Sequence, residues 1–323
     1  MIKEFKTRTG CIFCDTRNYL EWLYVGDYGK ENNIKANFLG LTKEINSVPH
    51  HEVNLKDKMV VTISTQKGCP MSCRFCDCPK VGFHGSASYE DLRFQVEHAI
   101  RASGCISTNR FNLHLARMGE PMVNAENVCN FVEDCLRQEV WGLMDATVVH
   151  PVFTTMFPYI ERVRAQRIID RFCYIKNYAY NGEAGIQFSI NSTDEKQRDW
   201  LFDSRSMSIA SISKIASSMP APIGRKYTLN FPVTADTILD AKELARLFDK
   251  AKFIVKITPI HETTEANRNG IKTVGVYETY DVYRQFEEPL LEEGWDVIVF
   301  VPSKEEDEDR ITCGNALLSG EKA

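Results

Sequence analysis

The chain has 323 residues, a formal net charge of −5, and 43% hydrophobic against 26% charged residues. This balance belongs to a globular chain able to bury a sizeable core, and it excludes a disordered or fibrous polypeptide. No apolar run reaches membrane-spanning length, and the opening "MIKEFKTRTG" lacks the apolar segment of a signal peptide, so a cytoplasmic protein without membrane contact is expected.

Residues 1–55 follow no strand–helix rhythm and are read as a small N-terminal extension. It contains "GCIFCD", whose Cys11 and Cys14 could form a small zinc site with His50 and His51. Adjacent histidines chelate one metal poorly, and two free thiols are the alternative. Over residues 56–302, apolar runs alternate with helix-like segments. The runs "MVVTIST", "FNLHLAR", "TVVHPVF", "GIQFSIN", "YTLNFPV", "KFIVKITPI" and "DVIVFVP" predict strands separated by enough chain for crossover helices. The first such helix is capped by Ser88 with Asp91 at the capping-box position, carries Leu92, Val96, Ala99 and Ile100 as an apolar stripe, and stops at Gly104. Asn124 opens another. The run "ERVRAQRIIDR" (Glu161 to Arg171) is either a local basic patch or a solvated helix face. Residues 303–323, beginning with the acidic "KEEDEDR", read as a mobile C-terminal tail that carries Cys313. Repeated βα units close into a barrel or partial barrel and place chemistry at the C-terminal ends of the strands.

Eleven cysteines at irregular spacings do not form a secreted disulfide framework, and clustered thiols in a reducing compartment point to metal or catalysis. Cys69, Cys73, Cys76 and Cys78 crowd one loop just after the first predicted barrel strand. Structural zinc takes four ligands, for which Cys78 is an awkward fourth. Three thiolates suit a [4Fe–4S] cluster with one iron left open, able to bind and reduce S-adenosylmethionine (SAM) to a 5′-deoxyadenosyl radical. A zinc loop is the competing reading.

Cys69, Cys73 and Cys76 match the CxxxCxxC motif of the radical SAM superfamily. The wider "STQKGCPMSCRFCDCPKVGFHG", followed in order by "ARMGEPMVNAENV", "FSINSTDEKQRDWL", "ITPI" and "ITCGNAL", resembles the RlmN/Cfr family, whose members methylate an adenosine ring carbon in RNA. The resemblance runs from about Met59 to Gly320 and implies an α/β fold, a partial (β/α)6-type radical SAM barrel. It implies that Cys69, Cys73 and Cys76 hold the cluster. Gly119 and Glu120 would border the SAM amino group, while Ser189 and Asn191 would line its ribose and carboxylate. His261 stands where the family has a SAM-contacting asparagine; a satisfied strand-end side chain is the alternative. Cys313 would accept a methyl group from one SAM before a second SAM activates it. Ribosomal or transfer RNA as substrate and an electron donor such as flavodoxin or ferredoxin follow from the same resemblance.

Two departures stand out. The family resolves its covalent RNA adduct with a cysteine seven residues before the first cluster cysteine, and here that position is Thr62, whose hydroxyl is no thiolate. Cys78 and Cys105 are the candidate substitutes, although Cys78 sits on the far side of the loop in sequence. The N-terminal extension is also shorter than the family's helical RNA-gripping domain, and Glu44 and Glu52 are both candidates for the family's proton-shuttling carboxylate. A divergent outcome therefore stays open: hydrogen abstraction from a nucleotide, peptide or small molecule without methyl-cysteine chemistry. A zinc-binding RNA-interaction protein with no catalysis is the third reading.

Overall fold

The computed structural model describes residues 2–26, 33–42, 54–274, 280–302 and 304–320. Glu44, His50, His51 and Glu52 lie outside the described residues. Three antiparallel strands open the chain, β1 (Ile2–Lys6), β2 (Gly10–Asp15) and β3 (Leu20–Gly26), followed by a short β4 (Ile34–Lys35). The parallel strands are β5 (Met59–Thr62), β8 (Ser107–His114), β9 (Asp145–Thr155), β10 (Gly185–Ser189), β11 (Tyr227–Val233), β12 (Phe253–Pro259) and β13 (Val297–Phe300). A two-stranded ribbon, β6 (Gln66–Gly68) and β7 (Phe83–Ser86), closes the cysteine loop.

The main sheet runs β1-β2-β3-β5-β8-β9-β10-β11-β12-β13-β4. Neighbouring parallel strands follow chain order, as single crossovers through helices require. The order is linear, so the barrel is partial. All seven sequence-predicted barrel strands are present. The strands missed are the short β4, β6 and β7 and those of residues 2–26, which pair β3 antiparallel to β5 and lengthen the barrel sheet at that edge.

Side chains alternate as a sheet covered on one face dictates. Val61, Leu113, Phe153, Phe188, Leu229 and Ile257 pack outward into the main core with Leu92, Val96 and Ile100 of the helix Tyr89–Ser103. Their strand neighbours Thr62, Asn112, His150, Ser189, Asn230 and Thr258 point to the other face, giving the barrel a polar interior. The helix starts as expected: Ser88 Oγ accepts from the Asp91 N–H at 3.1 Å and the Ser88 N–H donates to Asp91 at 2.8 Å.

The Cys11–Cys14 pair is not a metal site. Residues three apart on a strand face opposite ways. Cys11 packs into the main core, whereas Cys14 faces Ile12, Leu23 and the C-terminal residues Ile311, Leu317 and Leu318. The free-thiol alternative holds. Residues 304–320, expected as a mobile tail, are docked against the sheet and the cysteine loop, held by the buried polar bonds described below. No helix among the described residues is long and apolar enough to cross a membrane.

Candidate active site at the strand ends

Four segments converge on the cysteine loop. The Cys69 N–H donates to Gly82 O at 3.0 Å, pinning the loop to its ribbon. Farther along, the Arg74 N–H donates to Leu201 O at 2.9 Å, and its guanidinium pairs with Asp203 at 2.6 Å. Thr263 Oγ1 donates to Phe75 O at 2.9 Å, and Asn269 Nδ2 to Arg74 O at 3.0 Å. The segments that follow β10 and β12 therefore grip one side of the loop.

The Cys73 thiol sits well above its ordinary pKa, first through burial and then through the charges of Cys76, Cys69 and Glu120. Cys69 is pushed up to about 12 by burial, with Cys76 adding to it. The three sulfurs thus bear on one another, and each must lose a proton to bind metal. Among the described residues no three His, Cys, Asp or Glu groups lie close enough to share one ion.

The C-terminal segment closes over this loop through two buried carboxylates. Asp77 donates its N–H to Gly314 O at 2.8 Å, and its carboxylate accepts from Arg310 Nη2 at 2.9 Å and from the Glu265 N–H at 2.9 Å. Glu21, on β3, pairs with Arg117 and accepts the Leu318 N–H at 2.9 Å and the Leu317 N–H at 3.2 Å. Arg117 also donates to Thr312 O at 3.2 Å and Arg310 O at 3.0 Å. The result sets Cys313 at the barrel mouth, its Sγ 3.3 Å from Ala116 O. Water reaches Cys313, yet protein surrounds the thiol enough to raise its pKa, with the Cys76 charge adding and Arg117 and Lys256 opposing.

Glu120 lies on the turn after β8 and is 3% exposed. Its carboxylate accepts the Met122 and Met156 N–H groups, both at 3.0 Å, which ties the ends of β8 and β9 together. Burial nevertheless pushes its pKa up to about 7. Gly119 adopts φ +90°, where a Cβ would fall 2.6 Å from Gln66 Cβ. Asn191 follows β10 with φ +64°, fully buried, and neither its amide oxygen nor its nitrogen has a hydrogen-bond partner. The Gln66 Nε2 and Asn230 Oδ1 are orphaned likewise. Buried amides are normally satisfied, so these strand-end groups fit a polar ligand seated beside the cysteine loop. Ser189 ends β10 with its carbonyl accepting from Arg198 at 3.3 Å. His261 follows β12, with its Nδ1 2.9 Å from the Asp307 carboxylate of the C-terminal segment.

Sequence reasoning missed Asp77, Arg310, Glu21, Arg117 and Arg198. Arg198 is 1% exposed, and burial holds its pKa down to about 10; it donates to Ser206 Oγ, Met156 O and Ser189 O and so binds β9 to β10. No local pattern announces a buried arginine, although Arg117 and Arg198 both lie inside the quoted motifs.

Of the candidate substitutes for a cysteine at Thr62, the structure separates two. Cys105 precedes β8 and so lies at the opposite end of the strands from the cysteine loop. Cys78 is buried beside Cys76, whose hydrogen-bonding contact, followed by burial, raises its pKa; its Sγ lies 3.3 Å from Arg117 O. Its separation in sequence is undone by the short helical turn Cys78–Val81.

No protein-family profile matches the chain. It is 25% identical over 224 residues to the probable dual-specificity RNA methyltransferase RlmN of Heliobacterium modesticaldum, covering 66% of this chain and 53% of that protein. It is also 25% identical over 221 residues to the dual-specificity RNA methyltransferase RlmN of Wolinella succinogenes, covering 66% and 56%. The chain thus spans about half the length of the curated relatives it matches. Among solved structures, a radical SAM methyltransferase from Sphaerobacter thermophilus superposes with a TM-score of 0.64 at 18% identity, over 97% of this chain and 79% of that one.

Proposed function

We propose that the chain is an RlmN/Cfr-like radical SAM protein that carries a methyl group on Cys313 to an adenosine ring carbon of RNA, a reading supported by its similarity to the RlmN proteins above. The observation that carries this reading is the docking of Cys313 at the strand-end mouth, on the segment that Asp77 joins to the cysteine loop. Cys69, Cys73 and Cys76 would hold a [4Fe–4S] cluster. Gly119, Glu120, Ser189 and Asn191 would receive SAM, with the orphaned Asn191 amide satisfied by its polar groups. Bound there, such a cluster would supply reducing power toward SAM, replenished by a donor such as flavodoxin or ferredoxin. The chain's own part is to hold the Cys313 sulfur at the mouth, where Arg117 and Lys256 offset part of the burial that disfavours its thiolate, and to face the ammonium of SAM with Glu120.

Mass spectrometry of the C-terminal peptide from protein purified out of cells tests the reading. A methyl group on Cys313 is expected, and RNA treated with the enzyme gains methyladenosine. An unmodified Cys313, together with 5′-deoxyadenosine formation that survives Cys313→Ala, would move the chain to hydrogen abstraction without a methyl carrier.

Glu120 makes the SAM site pH-sensitive. Because burial raises its folded pKa above the ordinary 4.5, its contribution to stability is fully present below about 4.5 and is lost as pH rises through about 7. A bound ammonium reverses the preference by stabilising the carboxylate. SAM affinity is therefore expected to rise roughly tenfold between pH 6 and pH 7.5 and to flatten in Glu120→Gln. Calorimetric titration reads this directly, and parallel profiles for the two proteins would remove Glu120 from the site.

A further inference from the structure

The helix Arg162–Tyr174 follows β9, and the helix Ala125–Asn130 follows β8, so both start at the strand ends that Glu120 ties together. Between them lies a groove of about 450 Å³ that no role above uses. One wall begins at Val123 and Asn124, directly after the Glu120 turn. The other carries Arg164, Arg167 and Arg171, whose spacing of three and four residues puts them on one helix face. Arg171 is held in place by Asn130 Oδ1 at 2.7 Å and Glu133 at 3.3 Å. Arg164 and Arg167 are exposed and make no ion pair among the described residues. Glu126, exposed on the facing helix, is the one carboxylate in the lining. The acids within the run, Glu161 and Asp170, lie outside the lining, and Asp170 accepts from Gln166. Tyr159, three residues before the helix, presents a ring that is 80% exposed.

We propose that this groove seats backbone phosphates of the RNA whose reacting base enters the barrel mouth. On a chain with a net charge of −5, two unpaired guanidiniums backed by a third are a local exception, and the guanidinium fork suits a phosphodiester. The groove's place follows from topology: RNA that offers a base at the strand ends runs its backbone across the turns that start these two helices. An exposed ring such as Tyr159 adds a surface on which a neighbouring base can stack. The inference rests on RNA as the substrate. It assigns the basic run Glu161–Arg171 to binding rather than to a merely solvated face.

Phosphate contacts are largely independent of sequence, so any structured RNA serves as a probe. The measurement is fluorescence anisotropy of a labelled RNA stem-loop with the full, cluster-reconstituted chain over a salt series, at matched iron content. Arg164→Glu with Arg167→Glu is expected to weaken binding at least about tenfold and to make the log–log salt slope shallower by about two. The milder Arg164→Gln with Arg167→Gln gives the same direction should charge reversal disturb the helix, and the double lysine variant keeps most of the affinity. Arg162→Glu, on another face of the same helix, is expected to have less than half the effect. Wild-type-like binding by both groove variants, or an equal loss in Arg162→Glu, overturns the groove while leaving RNA as substrate. A wild-type protein that binds no RNA overturns the substrate reading and the groove with it.

Discussion

Replacing Arg117 with methionine is expected to destabilise the fold by about 3–5 kcal/mol, the range for stranding one partner of a buried ion pair. Arg117 and Glu21 have side chains 1% and 0% exposed, so neither charge can turn to water. Without the guanidinium, Glu21 keeps only the Leu317 and Leu318 N–H groups and the Cys14 thiol as donors, and Thr312 O and Arg310 O lose theirs. The damage falls on the segment that carries Cys313, so protease sensitivity of residues 304–320 should rise ahead of global unfolding. Adding Glu21→Leu to Arg117→Met removes the stranded charge and is expected to recover much of the stability, because a buried pair replaced by apolar groups is often neutral. It should not restore the docking of Leu317 and Leu318, which lose their acceptor. Urea unfolding of the two variants, with mass analysis of Cys313 methylation, separates these effects. A single variant as stable as the wild type would show that the pair is not the anchor described above.

Gly119→Ala is expected to cost about 2–5 kcal/mol, combining a left-handed backbone for a residue with a Cβ and the overlap that Cβ creates. The added carbon would lie 2.6 Å from Gln66 Cβ and 2.9 Å from Gln66 N, and backbone cannot swing aside as a side-chain tip can. Relief requires the Gln66 side chain to leave the Glu120 N–H, which it now accepts at 2.9 Å. The Glu120 turn then loses its register, and SAM affinity should fall by more than the stability change alone explains. Thermal unfolding and SAM titration on the same preparation measure both, and wild-type values for both would contradict the tight approach of Gly119 to Gln66.

The barrel was legible because its strands are near-continuous Val, Ile and Leu runs, and the cysteine loop because its spacing is local. Strands β1 to β3 escaped notice for physical reasons. β1 is mostly charged, and β2 is buried on both faces, so "GCIFCD" shows no alternation and its two thiols invite a metal reading. The docked C-terminal segment was illegible for another reason. Its anchors are pairs far apart in sequence, Arg117 with Glu21 and Arg310 with Asp77, and composition does not say which charges will be buried together. Gly119 and Asn191 were located by resemblance, but only the backbone shows why each position is special. Gly119 needs space and a positive φ, and Asn191 holds an amide with nothing to bind.

The antiparallel strands that flank the barrel also bear on how the molecule meets others of its kind. A parallel sheet that ended at β5 and β13 would offer open, largely apolar ladders to any passing strand. Here β1 forms one outer edge with Lys3, Glu4 and Lys6 along five residues, and β4 covers the other with only two. A charged edge and a very short one are poor templates, so the sheet that organises the strand-end mouth is also shielded from edge-to-edge aggregation.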